Sequence, residues 1–181
     1  RRRYDNLSGT RGPLGFDQNE YVRSLGVFVQ NELSFSEDIQ LSFGLRLDEV
    51  SFDVTDRFLS DGDDSGDRNL RNSSPMLGLS FGLGPTASLY ANYGMAFETP
   101  TTTEFNRPDG GGGFNPALDP QQAESFEVGV RGSIGVNSRY EVALYRIDVE
   151  DELIPFEVPS SPGRDYYEPA GDSARHGLEV S

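Results

Sequence analysis

The sequence of 181 residues contains no cysteine, no lysine and a single histidine, His176. The lack of cysteine excludes disulfides and thiolate metal sites, and one histidine without thiolates does not make a zinc site. No motif supports a Ser–His–Asp triad around this histidine. We therefore predict that the chain is not an enzyme and holds no cofactor.

The charge is strongly one-sided. All 15 basic residues are arginine and 30 residues are acidic, so the formal net charge is −15. Nucleic-acid binding requires a basic patch, and this balance argues against it. Long apolar runs are also missing, because no stretch approaches the roughly 18 residues of a transmembrane helix.

What the sequence does have is a stretch at positions 24–53 in which apolar and polar residues alternate, strictly so over residues 39–48. In residues 39–48 the apolar side chains take the odd positions, and polar or small ones take the even positions. Residues 36–38 separate this run from a similar one before it, which predicts an antiparallel hairpin. Each run is long enough to cross a bilayer as a tilted strand of roughly 9–11 residues. A polar face with Arg, Asp and Glu suits a water-filled lumen better than a dry core.

The same unit of strand, short turn, strand and long loop occurs three times. The predicted strands are residues 21–35, 39–54, 75–83, 87–97, 123–134 and 139–154, with a seventh beginning at Arg175. The predicted loops are residues 1–20, 55–74, 98–122 and 155–174. The alternation changes parity near Tyr145, which suggests a β-bulge.

Short turns on one rim and long loops on the other are typical of outer-membrane β-barrels. A barrel also accounts for the low mean hydropathy of −0.53, because only every second residue faces lipid. A soluble extracellular β-sandwich that acts as a binding module is the alternative fold. We predict an all-β, antiparallel, up-and-down transmembrane barrel, of which this chain supplies about seven strands.

Four segments resemble the recurrent motifs of TonB-dependent outer-membrane receptors. They are LGVFVQNELSFSEDIQLSFGLRLDEVSFD, SPMLGLSFGLGPTASLYANYGMAFETPTTTEF, NPALDPQQAESFEVGVRG and EPAGDSARHGLEVS, and they occur in the family order with hairpin spacing. The resemblance covers nearly the whole chain after Tyr21.

The resemblance implies a 22-stranded barrel closed from inside by a plug domain. Residues 1–181 would be part of that barrel only, without the plug, the TonB box or the final strand. The implied function is active import across the outer membrane of a Gram-negative bacterium, with a ferric siderophore or another scarce ligand as cargo. The implied partners are the TonB complex, the ligand and outer-membrane lipid. A passive pore or adhesin-like barrel with cation-binding acidic loops is the alternative function.

Three groups of residues are candidates for sites. The first lies in the second long loop, where aromatic and Arg side chains suit an anionic metal chelate: Phe105, Asn106, Arg107, Phe114 and Asn115. The second is predicted to face the lumen, where ion pairs within the wall are the simpler role: Glu32, Arg46, Asp48, Tyr90, Glu127 and Arg131. The third is an acidic run that is either a solvated loop or a weak cation site: Asp61, Asp63, Asp64 and Asp67.

Overall fold

A computed structural model describes residues 1–60, 62–107, 113–115, 117–159, 165–169 and 171–181. In this part of the chain the secondary structure consists of ten β-strands. They are β1 (Arg2–Leu7), β2 (Thr10–Ser34), β3 (Ile39–Asp56), β4 (Gly66–Gly82), β5 (Ala87–Glu98), β6 (Gln121–Ile134), β7 (Ser138–Glu150), β8 (Leu153–Glu157), β9 (Asp165–Pro169) and β10 (Ser173–Val180). No helix in the described segments is long and apolar enough to cross a membrane.

Eight strands form one antiparallel sheet in the order β1-β2-β3-β4-β5-β6-β7-β10. Chain neighbours pair directly, as in an up-and-down meander, and β8 pairs with β9 in a separate two-stranded hairpin. Within the described residues the sheet is open, with β1 and β10 at its two ends. The all-β antiparallel prediction is confirmed, and the described strands provide no second sheet packed face to face as in a sandwich.

Three predicted boundaries were wrong. Residues 1–20 were predicted as loop, but they form β1 and the first part of β2. The loop 55–74 is shorter than predicted, because β4 begins at Gly66 and pairs with the end of β3. The loop 155–174 contains the β8–β9 hairpin. None of these segments alternates clearly, and pairing with a neighbouring strand is what makes each of them extended.

The predicted bulge near Tyr145 is also absent. The pairing of β6 with β7 runs without interruption from Gln122 opposite Glu150 to Ile134 opposite Ser138. The parity of the apolar residues changes because β7 enters a different environment near the long loops. There the face that is polar in the rest of the strand is covered and carries apolar side chains, and Val149 is only 2% exposed. A change of environment along a regular strand therefore produced the signal that we interpreted as a bulge.

The two faces of the sheet differ sharply. The outer face, defined by Leu45 and the residues in phase with it, carries exposed aliphatic and aromatic side chains on β2 to β7 and β10. The inner face, defined by Arg46 and the residues in phase with it, carries the charged and small side chains. Because cross-strand partners share a face, this division continues from strand to strand through the register.

The apolar band on the outer face crosses the strands obliquely. Its last aliphatic residue toward the long loops is Leu25 in β2 but Leu144 in β7. Direct pairing places Leu144 in one row with Val128, Ala91, Leu79, Leu41 and Leu33. Leu33 is eight residues from Leu25, so the boundary drops eight residues over five strand-to-strand steps. At roughly 3.3 Å per residue and about 4.8 Å between strands, this is a slope of about 45°, which is the tilt of strands in membrane barrels.

Candidate functional site

The second long loop folds back onto the inner face of β3 and β4. Phe105 is fully buried there, with its ring stacked on Phe114 at 4.9 Å and placed edge-on to Phe52 at 5.2 Å. Val50, Leu70 and Leu118 complete this buried cluster. A hydrophobic cluster thus lies against the inner face of the sheet at its long-loop end. The loop supplies Phe105, Phe114 and Leu118, and Leu153 and Tyr167 of the β8–β9 hairpin also pack against it.

Polar contacts hold the loop at several points. Arg68 of β4 donates to the Asn115 carbonyl oxygen at 3.1 Å and to the Asp119 carboxylate at 2.7 Å, and its guanidinium lies 5.7 Å from the Phe105 ring centroid. The Thr102 hydroxyl donates to Glu20 of β2 at 2.9 Å. These contacts connect the loop to two strands of the sheet, so the loop covers part of the inner face.

This packing decides what each loop residue can offer a ligand. The Phe105 ring is inaccessible, and the Asn115 backbone is engaged by Arg68 and by the Phe105 carbonyl oxygen. The Asn106 side chain donates to the Thr103 carbonyl oxygen at 2.6 Å. Phe114 and Arg107 are half-buried. Ligand contact in this loop stays a prediction. Asn106 and Arg107 are more accessible to a ligand than Phe105.

In the middle of β3, on the inner face, Arg46 and Asp48 form a bidentate ion pair. Arg46 Nε and one terminal nitrogen donate to the two Asp48 carboxylate oxygens at 2.7 and 2.8 Å. Asp48 is only 7% exposed, and Gly26 on β2 leaves room for both groups, because a Cβ there would overlap the guanidinium and the carboxylate. Both residues are in phase on the inner face, as predicted, and satisfy each other's charge.

Nearer the short turns, on the inner face of β5, Tyr90 is the centre of a second polar group. Its hydroxyl donates to the Glu141 carboxylate at 2.6 Å, and the Arg131 guanidinium lies 5.4 Å from its ring centroid. The ring crosses Gly129 on β6, where a Cβ would lie 2.6 Å from it. The sequence did not identify Glu141 as a partner, because the contact is diagonal across two strand gaps.

Next to this group the inner face has a polar concavity of about 300 Å³. Its lining includes Glu32, Arg131, Tyr90 and Asn92, and Asn92 donates to Glu127 at 3.4 Å. All six residues predicted to face the lumen therefore lie on the inner face. Whether any of them contacts a ligand stays a prediction.

Asp63 of the acidic run and the neighbouring Asp56 accept hydrogen bonds from the backbone of their own loop. Asp56 accepts from the Phe58 and Asp64 amides at 2.9 and 3.2 Å. Hydrogen bonds from Ser65 hold the pKa of the Asp63 carboxyl below its ordinary value.

The other members of the acidic run do not gather into a site. Asp67 lies in β4 opposite Asp53, and Asp61 is outside the described residues. Among the described residues no group of three His, Cys, Asp or Glu is placed to hold a metal ion, so a cation site here has no geometric support.

The β1–β2 hairpin, which the sequence did not predict, carries arginines stacked on aromatic rings. Arg1 and Arg3 lie 5.8 and 5.7 Å from the Phe16 ring centroid. Arg11 lies 3.4 Å from the Tyr4 ring centroid. The sequence did show several arginines at the start of the chain. Without a predicted strand there, however, these arginines could not be assigned to a face of the sheet or to aromatic partners. His176 is in β10, opposite Arg146 on the outer face.

Comparison with known proteins identifies the architecture. The sequence model of the family described as TonB-dependent receptor-like, β-barrel matches residues 1–181. The metal-pseudopaline receptor CntO of Pseudomonas aeruginosa strain UCBPP-PA14 is 25% identical over 174 residues, which is 93% of this chain and 23% of that receptor.

Solved structures share the fold. The copper transporter OprC superposes with a TM-score of 0.74 at 21% identity, covering 99% of this chain and 28% of that one. The ferripyoverdine receptor of P. aeruginosa superposes with a TM-score of 0.67 at 19% identity, covering 97% of this chain and 22% of that one. The chain thus spans about a quarter of the length of these relatives.

Proposed function

Because the chain belongs to the family of TonB-dependent receptor-like β-barrels, we propose that it forms part of the wall of an outer-membrane receptor that imports a chelated metal. The ferric siderophore is the cargo class that we propose. The TonB complex would supply the energy, acting on a plug domain outside residues 1–181.

The observation that carries this proposal is the division of a single tilted sheet into two faces. An oblique apolar band suits lipid on the outside. Charged and small side chains, with Arg46 paired to Asp48, suit water on the inside. A soluble protein would have to cover the outer face with another layer, and the described chain has none.

The cargo class is supported by the relatives and by the shape of the inner face. A relative similar in sequence is named for a metal–chelate complex, and solved structures with the same fold are named for copper and for ferripyoverdine. In this chain the inward loop around Phe105 narrows the entrance, and the wall below it is polar and concave. This arrangement suits a hydrophilic ligand that is first held at the mouth and then passed along a wet wall, with no bond made or broken.

Uptake in cells tests the proposal. The gene that encodes this chain is deleted in its host, and uptake of radioactive iron supplied as siderophores is measured under iron limitation. We expect that deletion abolishes uptake of one siderophore, that the wild-type gene restores it, and that removal of TonB abolishes it again. Zinc and nickel chelates are measured in parallel.

The outcomes separate the parts of the proposal. TonB-dependent uptake of a zinc or nickel chelate without iron uptake would overturn the ferric class but keep metal import. Uptake that survives removal of TonB would favour a passive pore. If deletion changes the uptake of no metal chelate, the import proposal is wrong.

A further inference from the structure

Two arginine side chains of the β1–β2 hairpin converge on one aromatic ring. Arg3 lies directly opposite Phe16 in the strand pairing, and the guanidinium groups of Arg1 and Arg3 lie 5.8 and 5.7 Å from its centroid. Cation–π contacts of this kind orient the guanidinium groups without neutralising their charge. The result is a compact positive surface in a chain whose net charge is −15.

This positive surface faces the inside. Phe16 alternates in phase with Glu20 on β2, and Glu20 accepts a hydrogen bond from Thr102 of the inward loop. The arginines therefore lie on the inner face beside the base of that loop, beyond the long-loop end of the apolar band. A ligand that approaches the lumen from this end meets them before the wall around Arg46.

The pairing of these two arginines also bears on what they can bind. Six others form ion pairs with carboxylates: Arg2, Arg46, Arg68, Arg71, Arg146 and Arg175. Within the described residues no carboxylate comes within ion-pair distance of Arg1 or Arg3. Their donors thus remain available, whereas those of neighbouring Arg2 are engaged by Asp17 at 2.9 Å.

We propose that Arg1, Arg3 and Phe16 form a capture site for an anionic metal chelate, so that the cargo of the receptor proposed above carries net negative charge on carboxylate or catecholate oxygens. This inference rests on the proposed function and deepens it. Guanidinium groups make paired, charge-assisted hydrogen bonds to such oxygens. A positive entrance on an otherwise acidic protein also raises the rate at which anions arrive.

Binding to the purified full-length receptor in detergent tests the site. The probes are a trianionic ferric tris-catecholate and a neutral ferric tris-hydroxamate, titrated at low and high salt. We expect Arg3→Gln to weaken binding of the anionic probe by about tenfold, the usual order for loss of one charge-assisted contact. The double variant R1Q/R3Q should weaken it further and flatten its salt dependence, and Arg3→Lys should keep part of the affinity.

Arg11→Gln is the matched control, because Arg11 is stacked on Tyr4 in the same hairpin but follows the opposite face. We expect it to bind like the wild type. Heat-modifiable migration of each variant on a gel verifies that the barrel is folded.

The failures are distinguishable. If the wild type binds only the neutral chelate, or if R1Q/R3Q binds the anionic one as the wild type does, the capture site is wrong and the import function stands. If the folded wild type binds neither of these probes and no other metal chelate, the proposed function fails as well.

Discussion

Replacing Phe105 by alanine should release the inward loop while leaving the sheet intact. The ring is fully buried, stacks on Phe114 at 4.9 Å and meets Phe52 edge-on at 5.2 Å. Removal of a buried phenylalanine side chain costs about 3–5 kcal/mol, and we take the lower value because a loop can settle into the space. This free-energy cost destabilises the packing of the loop on the sheet, because the hydrogen bonds between the strands do not depend on this ring.

A loss of about 3 kcal/mol raises the population of the open loop by about 100-fold, since each 1.4 kcal/mol is tenfold. Hydrogen exchange of the full-length protein in detergent measures this directly. The reporter is the Asn115 amide, which in the packed loop donates to the Phe105 carbonyl oxygen at 2.7 Å. We expect its exchange in the Phe105→Ala variant to be about 100-fold faster, with amides in the middle of β5 and β6 unchanged.

Two further variants make the result specific. Phe105→Leu keeps an apolar side chain in the cluster and should cost less than about 1.5 kcal/mol. Phe126→Ala removes a half-exposed ring from the outer face and should leave loop exchange unchanged. If exchange at Asn115 rises less than about fivefold in Phe105→Ala, the buried cluster does not hold the loop and the argument fails.

Other substitutions test the two faces and the acidic loop. Gly129→Ala places a Cβ 2.6 Å from a tyrosine ring, whereas the Cβ of Gly94→Ala meets nothing nearer than 3.7 Å. In urea titrations Gly129→Ala should lower the unfolding free energy by about 1–3 kcal/mol. Equal midpoints for the two variants would refute the close packing. Leu79→Arg on the outer face should cost about 2–4 kcal/mol in lipid, while Gln40→Arg on the inner face should cost little, and a reversed order would exchange the two faces. The folded carboxyl of Asp63 has a lowered pKa, so its contribution to loop order is present at neutral pH and is lost as the pH falls through that value. The protection of the amide two residues later, measured as its exchange rate relative to the intrinsic rate at each pH, should therefore fall on acidification in the wild type but not in Asp63→Asn, and equal pH profiles would show that this carboxylate does not order the loop.

The alternating segments were predictable as strands because alternation is a local property, although β2 begins earlier, at Thr10, and β4 at Gly66. A strand places successive side chains on opposite faces whatever it pairs with, so residues 39–48 alone specify which face is apolar. The short turns followed for the same reason, since only two or three residues join consecutive runs. The inner position of Arg46, Asp48 and Tyr90 came directly from their phase.

The sequence by itself thus determined the class of fold, the register-bearing hairpins and the chemical division of the two faces. Only the tertiary structure decided where the aperiodic segments go. Phe105 lies in a stretch without period and is buried against Phe52, and Arg3 acquires a face only by pairing with Phe16. Such contacts join residues far apart in the chain, and their free energy depends on both partners at once. A pattern read along one strand contains half of that information, which is why the wall was predictable and the packing of the loop was not.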